Sequence, residues 1–388
     1  MDTEQKRNGR VKTLFANEKG FLLIAALTLL TVLTLVGTTA YILSSTDIKI
    51  GGNYRNTQLA LQVAIAGAER ARAKLVSDLY PNSGALVSLS TKLAAVKGPN
   101  NVLNGYTSNT DDVALAGCSI TAPCSLNGAT YVTYLTNDNL PGGDVYNSTT
   151  DTNSKVLITS VATGPNNASA KVEMMVYSPA ALASSPATIY SRGDITGGGS
   201  GLTLTGVDAC GAASSKDATY TKDPAHTDLS GQTHITGNTG NGSLNIDLVS
   251  YIDILKKGGA VTTLTADVTT ATTYGSSTNY VTVYSDTSSP QNDQGLTLQN
   301  VTGYGILVVT GDLVLRSGVQ WNGVIMASGS VTLNGSPSGI SVQGLIFSGM
   351  SNVTDISVSG TNNISYNSCN VKNALGAGVR MVNWKQVN

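Results

Sequence analysis

Residues 21–43 read FLLIAALTLLTVLTLVGTTAYIL, a run without a single charged side chain. At about 1.5 Å per helical residue, this length crosses the ~30 Å hydrocarbon core of a bilayer with some tilt. The segment before it carries Lys6, Arg7, Arg10, Lys12 and Lys19 against Asp2, Glu4 and Glu18. By the positive-inside rule that basic flank keeps the N-terminus cytoplasmic, and everything after Leu43 faces the other compartment. The run is longer than the roughly 7–15-residue apolar region of a secretory signal peptide.

The helical pattern continues beyond the apolar run. The first proline is Pro81. Leu61, Ala64, Ala68, Ala71 and Leu75 recur at helical spacing and form one apolar stripe. Glu69 and Arg72 form an i,i+3 pair that contributes a few tenths of a kcal/mol. A single helix from Phe21 to about Val76 would be roughly 80 Å long. Gly37 and Gly51-Gly52 are its weak points, where it could bend or melt. The first half suits lipid, and the second needs protein over its stripe.

The stretch Asn17-Glu18-Lys19-Gly20-Phe21 resembles the processing site of a type IV prepilin. The continuation through Gly52-Asn53 and QLALQVAIAGAERARAKL (58–75) resembles the N-terminal region of PilX-type minor pilins. The resemblance covers about residues 17–76. It implies cleavage between Gly20 and Phe21 by the prepilin peptidase, N-methylation of Phe21, and insertion of the helix into a filament core. Most of the family carries Glu at the fifth mature position, where it pairs with a neighbour's N-terminal amine; here that position is Ala25. A subunit lacking the carboxylate cannot receive a neighbour's amine, which suits a rare subunit at a filament end. PilX-type pilins and the tip (K-type) pseudopilin of type II secretion share that lack. Ile65 stands where a Glu is common in the Ala-rich patch of these proteins.

Four cysteines, Cys118, Cys124, Cys210 and Cys369, permit three pairings. Cys118 and Cys124 bracket a short loop that a disulfide would close, leaving Cys210 and Cys369 to pair over a long range. Buried free thiols are the alternative, and an exported chain favours oxidation. No CxxC is present, and His226 and His234 lack a finger-like spacing to any Cys pair, so no metal is expected.

Beyond the helix, residues 77–130 are irregular and polar. Strand-like runs follow at 131–135, 155–162 and 171–177, the last two flanking the turn Gly164-Pro165-Asn166-Asn167-Ala168. By resemblance, 79–186 form an antiparallel β head. The oxygen-rich stretch Thr136–Asp144 lacks the EF-hand order and reads as a solvated turn. From about Ala187 a repeat appears. GILVVTGDL (305–313) aligns with GVIMASGSV (323–331) and with the shorter GLIFSG (344–349), at offsets of 18 and 21 residues. Short apolar strands at near-constant spacing imply a parallel β-helix over 187–370; an antiparallel sandwich is the alternative. Residues of about 210–294 read as an insertion. They contain an amphipathic helix at Leu244–Lys257 and the tyrosines Tyr274, Tyr280 and Tyr284, which are half-buried strand positions or a contact surface. Residues 371–388 read as a tail. The expected class is α+β, with a leader (1–20), a transmembrane half-helix (21–43), an exported half-helix (44–78), the head and the repeat domain.

Charged residues are 12% of the chain and the formal net charge is −1, so no cationic field exists to collect nucleic acid. No P-loop, GxSxG, HExxH or dinucleotide fingerprint occurs. The GGGSG at 197–201 has the wrong spacing for a nucleophile elbow. Asp312, Asp355 and Arg316 are too sparse to read as a catalytic cluster, so neither enzyme activity nor a cofactor is expected. The resemblance implies a minor pilin that primes assembly and sits near the pilus tip. It implies the major pilin, other minor pilins and the prepilin peptidase as partners, with a PilY-type adhesin at the tip. It also implies an inner-membrane precursor with a periplasmic head. The alternatives are a K-type pseudopilin, or a membrane-anchored β-helix glycan binder or carbohydrate-active enzyme.

Overall fold

The computed structural model describes residues 18–81, 86–107, 110–139, 144–198, 201–222, 227–230, 232, 234–242, 254, 261–286, 295–349 and 355–387. The chain is a mixed helix and sheet structure. Helix α1 runs without interruption through Glu18–Leu79, about 93 Å at 1.5 Å per residue. It stays helical at Gly37, Gly51 and Gly52, where no break occurs. A second short helix, α2 (Leu89–Val96), lies in the stretch expected to be irregular. Its N-cap Ser88 accepts a hydrogen bond from Thr91 N at 3.1 Å.

Five antiparallel strands cover the second half of α1. In spatial order they are Cys124–Leu126, Ala129–Asn137, Lys155–Thr163, Ser169–Tyr177 and Arg380–Val387. Their helix-facing side chains include Ile158, Val172, Met174 and Val176, all buried in one cluster with the buried stripe of α1. The fifth strand corrects the tail reading. Residues 368–377 form helix α3, and Arg380–Val387 returns to the head sheet beside Ser169–Tyr177. The sequence hid this strand because it sits at the sheet edge with most side chains exposed and with a register irregularity between Met381 and Asn383.

Within residues 187–365 every ladder between the named strands is parallel. The strands Val301–Thr310, Gln320–Ala327 and Ile340–Ser348 pair in register, Gly305 with Gly323 and Gly323 with Gly344. Each of these long strands turns at its glycine. Gly305 has φ +136° and Gly323 φ +139°, and a Cβ on Gly305 would sit 1.7 Å from Val281 O. The N-terminal half of Val301–Thr310 therefore pairs with Thr272–Tyr274, while its C-terminal half pairs with Val281–Asp286. A separate six-stranded sheet closes the third side, in the order 296–298, 313–316, 331–334, 356–359, 195–198, 227–228. Leu307, Val309, Ile325 and Ile346 point into the interior of this stack, with Trp321 and Leu313. Their neighbours Ile306, Val308, Val324, Met326, Leu345 and Phe347 point out and join the cluster that includes the head and α3. Burial on both faces is why these strands read as unbroken apolar runs rather than as alternation.

The rungs do not stack in chain order. Rung 187–205 pairs on one side with rung 217–236 and on the other with rung 345–365. From there the stack continues through 324–343, 306–322 and 281–304 to 262–274. The chain thus enters mid-stack and winds to one end. The described chain resumes at 261 on the rung at the opposite end and winds back to meet its own first rung. This corrects the insertion reading, because the described parts of 210–294 are rungs. Their strands are only two to six residues long and rich in Thr, so they carry no apolar run to align with the repeat. The helix expected at Leu244–Lys257 lies outside the described residues except for Ile254, which is helical and buried. Tyr284 is buried, and Tyr274 and Tyr280 are half-buried.

Candidate assembly surface and the head junction

The first half of α1 presents apolar side chains on every side. Phe21 is 74% exposed, and Leu22, Leu27, Leu30, Leu33 and Leu35 are all above 60%. Ala25 lies in the same exposed stretch. No charge follows Lys19 until Asp47. The threonines here do not break the apolar character. Thr28, Thr31, Thr34 and Thr38 each donate back to a carbonyl one turn earlier, at 2.6–3.0 Å. These hydroxyls are therefore satisfied inside the helix, as lying in hydrocarbon requires. Among the described residues it is the one helix long and apolar enough to cross a membrane by length and composition.

The second half of α1 is buried on one side only. Ala64, Ala68, Ala71 and Leu75 are fully buried against the sheet, whereas Leu61 is half-buried. The stripe is completed by Ala60, Val63, Gly67 and Leu79, which the spacing argument omitted. Small residues at these positions let the helix approach closely: a Cβ on Gly67 would lie 2.6 Å from Ser160 Oγ and from the Tyr131 ring. Arg70 Nη1 donates to Tyr131 OH at 2.9 Å, and Arg72 pairs with Glu69 at 2.8 Å. Asp78 bonds both Lys74 and Lys92. Burial alone would raise its pKa, but the two lysines hold it below the usual carboxylate value. Gly20, Phe21 and Ala25 therefore form one group and the stripe another, with Ala25 and Leu61 about 54 Å apart along the axis.

The structure forms disulfides between Cys118 and Cys124 and between Cys210 and Cys369, with Cα–Cα distances of 5.1 and 5.8 Å. The second lies where rung 187–205 meets rung 345–365. Beside it Asp208 accepts hydrogen bonds from Cys210 N, Ala213 N, Ser368 N and Ser368 Oγ at 3.1, 2.8, 2.8 and 2.7 Å. Burial opposes its charge, and these donors outweigh burial and keep its pKa low. Lys216 donates to the carbonyls of Ala183 and Ser185 and lies 5.0 Å from the Tyr366 ring centroid. Burial lowers the Lys216 pKa against the pull of Asp208. Burial, helped by Asp208, pushes the Tyr366 phenol up to about 12.

Two further groups fix what the chain can do chemically. Asp138, Asp144 and Asp151 lie close together at the stretch expected to be a solvated turn, yet Asp138 is fully buried. It accepts from Asn153 Nδ2 at 3.0 Å, Asp144 accepts from Thr152 N at 2.7 Å, and Asp151 accepts from Lys155 N at 3.2 Å. Burial, then Asp144 and Asp138, raise Asp151 to about 6. No group of His, Cys, Asp and Glu among the described residues is arranged to hold a metal. Asp312 accepts from Ser330 N at 2.6 Å, and Asp355 accepts from Asp194 N at 2.9 Å. Each tethers a turn between rungs. Arg316 lies at the far end of strand Leu313–Arg316 from Asp312.

No family model and no curated protein matches the chain. Among solved structures it is similar to the competence-associated pilin ComZ from Thermus thermophilus, at 11% identity, covering 86% of this chain and 98% of that chain, with a TM-score of 0.24. At that TM-score the likeness carries no weight for fold or role.

Proposed function

We propose that the chain is a minor subunit of a type IV pilus, of the PilX kind, that primes assembly and sits at or near the tip. One observation carries this reading. A single helix is apolar and exposed on all sides through its first half, then buried on one side against an antiparallel sheet in its second half. A helix apolar all round needs lipid or a bundle of like helices, and a pilin needs both in turn. The leader is removed between Gly20 and Phe21 by the prepilin peptidase, and Phe21 is methylated. Before assembly the chain spans the inner membrane once, N-terminus inside and head in the periplasm, a compartment suited to its two disulfides. The rung stack is a parallel β-helix that enlarges the head beyond what a closely packed shaft repeats. Together with Ala25, that bulk supports a place at a filament end, beside the major and minor pilins and a PilY-type adhesin. The role is structural rather than enzymatic, in keeping with the turn-tethering use of Asp312 and Asp355.

Intact-mass measurement on sheared filaments tests processing, with a chain beginning at methylated Phe21 expected and residues 1–20 retained as the refuting result. Immunogold labelling of the head tests position. Label confined to filament ends is expected, and regular label along the shaft overturns the tip assignment. Loss of protein secretion with pilus number unchanged on deletion would move the chain to the pseudopilins.

A further inference from the structure

One side of the rung stack presents hydrogen-bonding side chains in register. It is built from the N-terminal halves of the long strands together with Asn362–Ser365, Leu202–Thr205 and His234–Thr236, all in one sheet. Trp321, Val342, Ile364 and Leu204 point inward from it and are buried. The intervening positions point outward. Thr302, Gln320, Ser341, Asn363, Thr203 and His234 are successive register partners and form one column across six rungs. At the ~4.8 Å spacing of neighbouring strands, the column is about 24 Å long. Two residues further along each strand, Tyr304, Asn322, Gln343, Ser365, Thr205 and Thr236 form a second column.

The two columns differ in how they are held. Three members of the second are tied down: Asn322 Nδ2 donates to Gly303 O at 3.4 Å, Gln343 Oε1 accepts from Asn370 Nδ2 at 3.4 Å, and Thr205 Oγ1 accepts from Val207 N at 3.1 Å. The side chains of the first column make no hydrogen bond among the described residues, and Gln320, Asn363, Thr203 and His234 are exposed. Neither column contains an Asp, Glu, Lys or Arg. Among the described residues the charges of the stack lie outside these two columns, for example Arg316 and Asp228 on the six-stranded sheet, Asp217 and Asp286 on other strands, and Asp312 and Asp355 at turns.

We propose that this side binds a neutral polysaccharide running along the stack, its hydroxyls exchanging hydrogen bonds with the open column. Hydroxyl, amide and imidazole groups both donate and accept, as sugar hydroxyls do. A surface without cations has nothing to gather phosphates or acidic polymers. It also lacks the large exposed apolar anchors on which protein partners depend. A repeating neutral polymer meets a repeating neutral ladder. This proposal goes beyond the pilus reading and does not depend on it.

The test uses the full chain in a detergent without a sugar head group, run on native gels cast with dextran, glucomannan, a soluble β-glucan, or alginate as the anionic polymer. Retardation by at least one neutral polymer and none by alginate is expected. The Gln320→Ala/Asn363→Ala pair should weaken that retardation at least tenfold with thermal unfolding unchanged. Should the pair misfold, Gln320→Glu/Asn363→Asp keeps the shape, adds charge and should lose binding equally. Absence of retardation in every neutral polymer, retardation by alginate alone, or retardation unchanged in the folded variants overturns the proposal.

Discussion

The place where the rung stack closes on itself is the part of this fold most open to a decisive perturbation. Rungs 187–205 and 345–365 are far apart in sequence and are joined by their ladders, by the hydrogen bonds of Asp355 to Asp194 N and of Asp208 to Ser368, and by the Cys210–Cys369 disulfide. Replacing both cysteines by serine removes the covalent link and leaves the rest. In the loop-entropy model, a bond spanning 159 residues restricts the unfolded chain by about 5 kcal/mol. The Cys118–Cys124 bond spans 6 residues, and the same model gives it about 2 kcal/mol. The Cys210→Ser/Cys369→Ser protein should therefore lose about 3 kcal/mol more than the Cys118→Ser/Cys124→Ser protein, both measured under oxidising conditions. Because a chain of this size need not unfold in one step, the urea midpoint should be read together with hydrogen exchange. Exchange should accelerate in Ala187–Ser191, Leu202–Thr205 and Asn362–Ser365 before it does in the interior strand Gln320–Ala327. A midpoint shift no larger than that of the Cys118–Cys124 variant, with exchange unchanged along these strands, would refute the account of how the stack is closed.

Three further outcomes follow from the packing and the charges. Gly67→Val drives a side chain into Ser160 and Tyr131 and should cost about 1–3 kcal/mol in urea titration of the head, whereas Gly51→Ala, with nothing within 4 Å, should be neutral or slightly stabilising. Asp208→Asn should cost about 2–3 kcal/mol at pH 7; because its folded pKa is depressed, that stability is present above the unfolded carboxylate value and fades as pH falls through the folded one, so wild type and variant should converge in strong acid. Asp151 behaves oppositely: its folded pKa is raised to about 6, so stability is gained on acidification and withdrawn as pH rises through 6. Asp151→Asn should then stabilise the head by about 1 kcal/mol at pH 8 and not at pH 4, and equal midpoints at pH 8 would show that the carboxylate is not strained there.

What could be read in the sequence follows from where each element is buried. Helix α1 was legible because its pattern is local: a charge-free run, then a stripe at helical spacing. The strands at 305–310, 323–327 and 344–348 were legible because both of their faces are buried, so every residue is apolar. Strands such as Thr227–Asp228 and Thr239–Asn241 bury little and are two or three residues long; only their neighbours in the stack make them strands. The edge strand Arg380–Val387 owes its place to a ladder with Ser169–Tyr177, some two hundred residues earlier in the chain. The cysteines gave their pairing because one short loop left one long one. The order of the rungs was beyond reach for a different reason. Each rung contributes the same kind of inward side chain and the same parallel edge, so the local chemistry of stacking 345–365 on 187–205 is identical to that of stacking it on a rung after it in the chain. What distinguishes the two is that the rung at 261–274 lies at the opposite end of the stack from the rung at 217–236, together with the link from Cys210 to Cys369, and neither has a signature in the repeat itself.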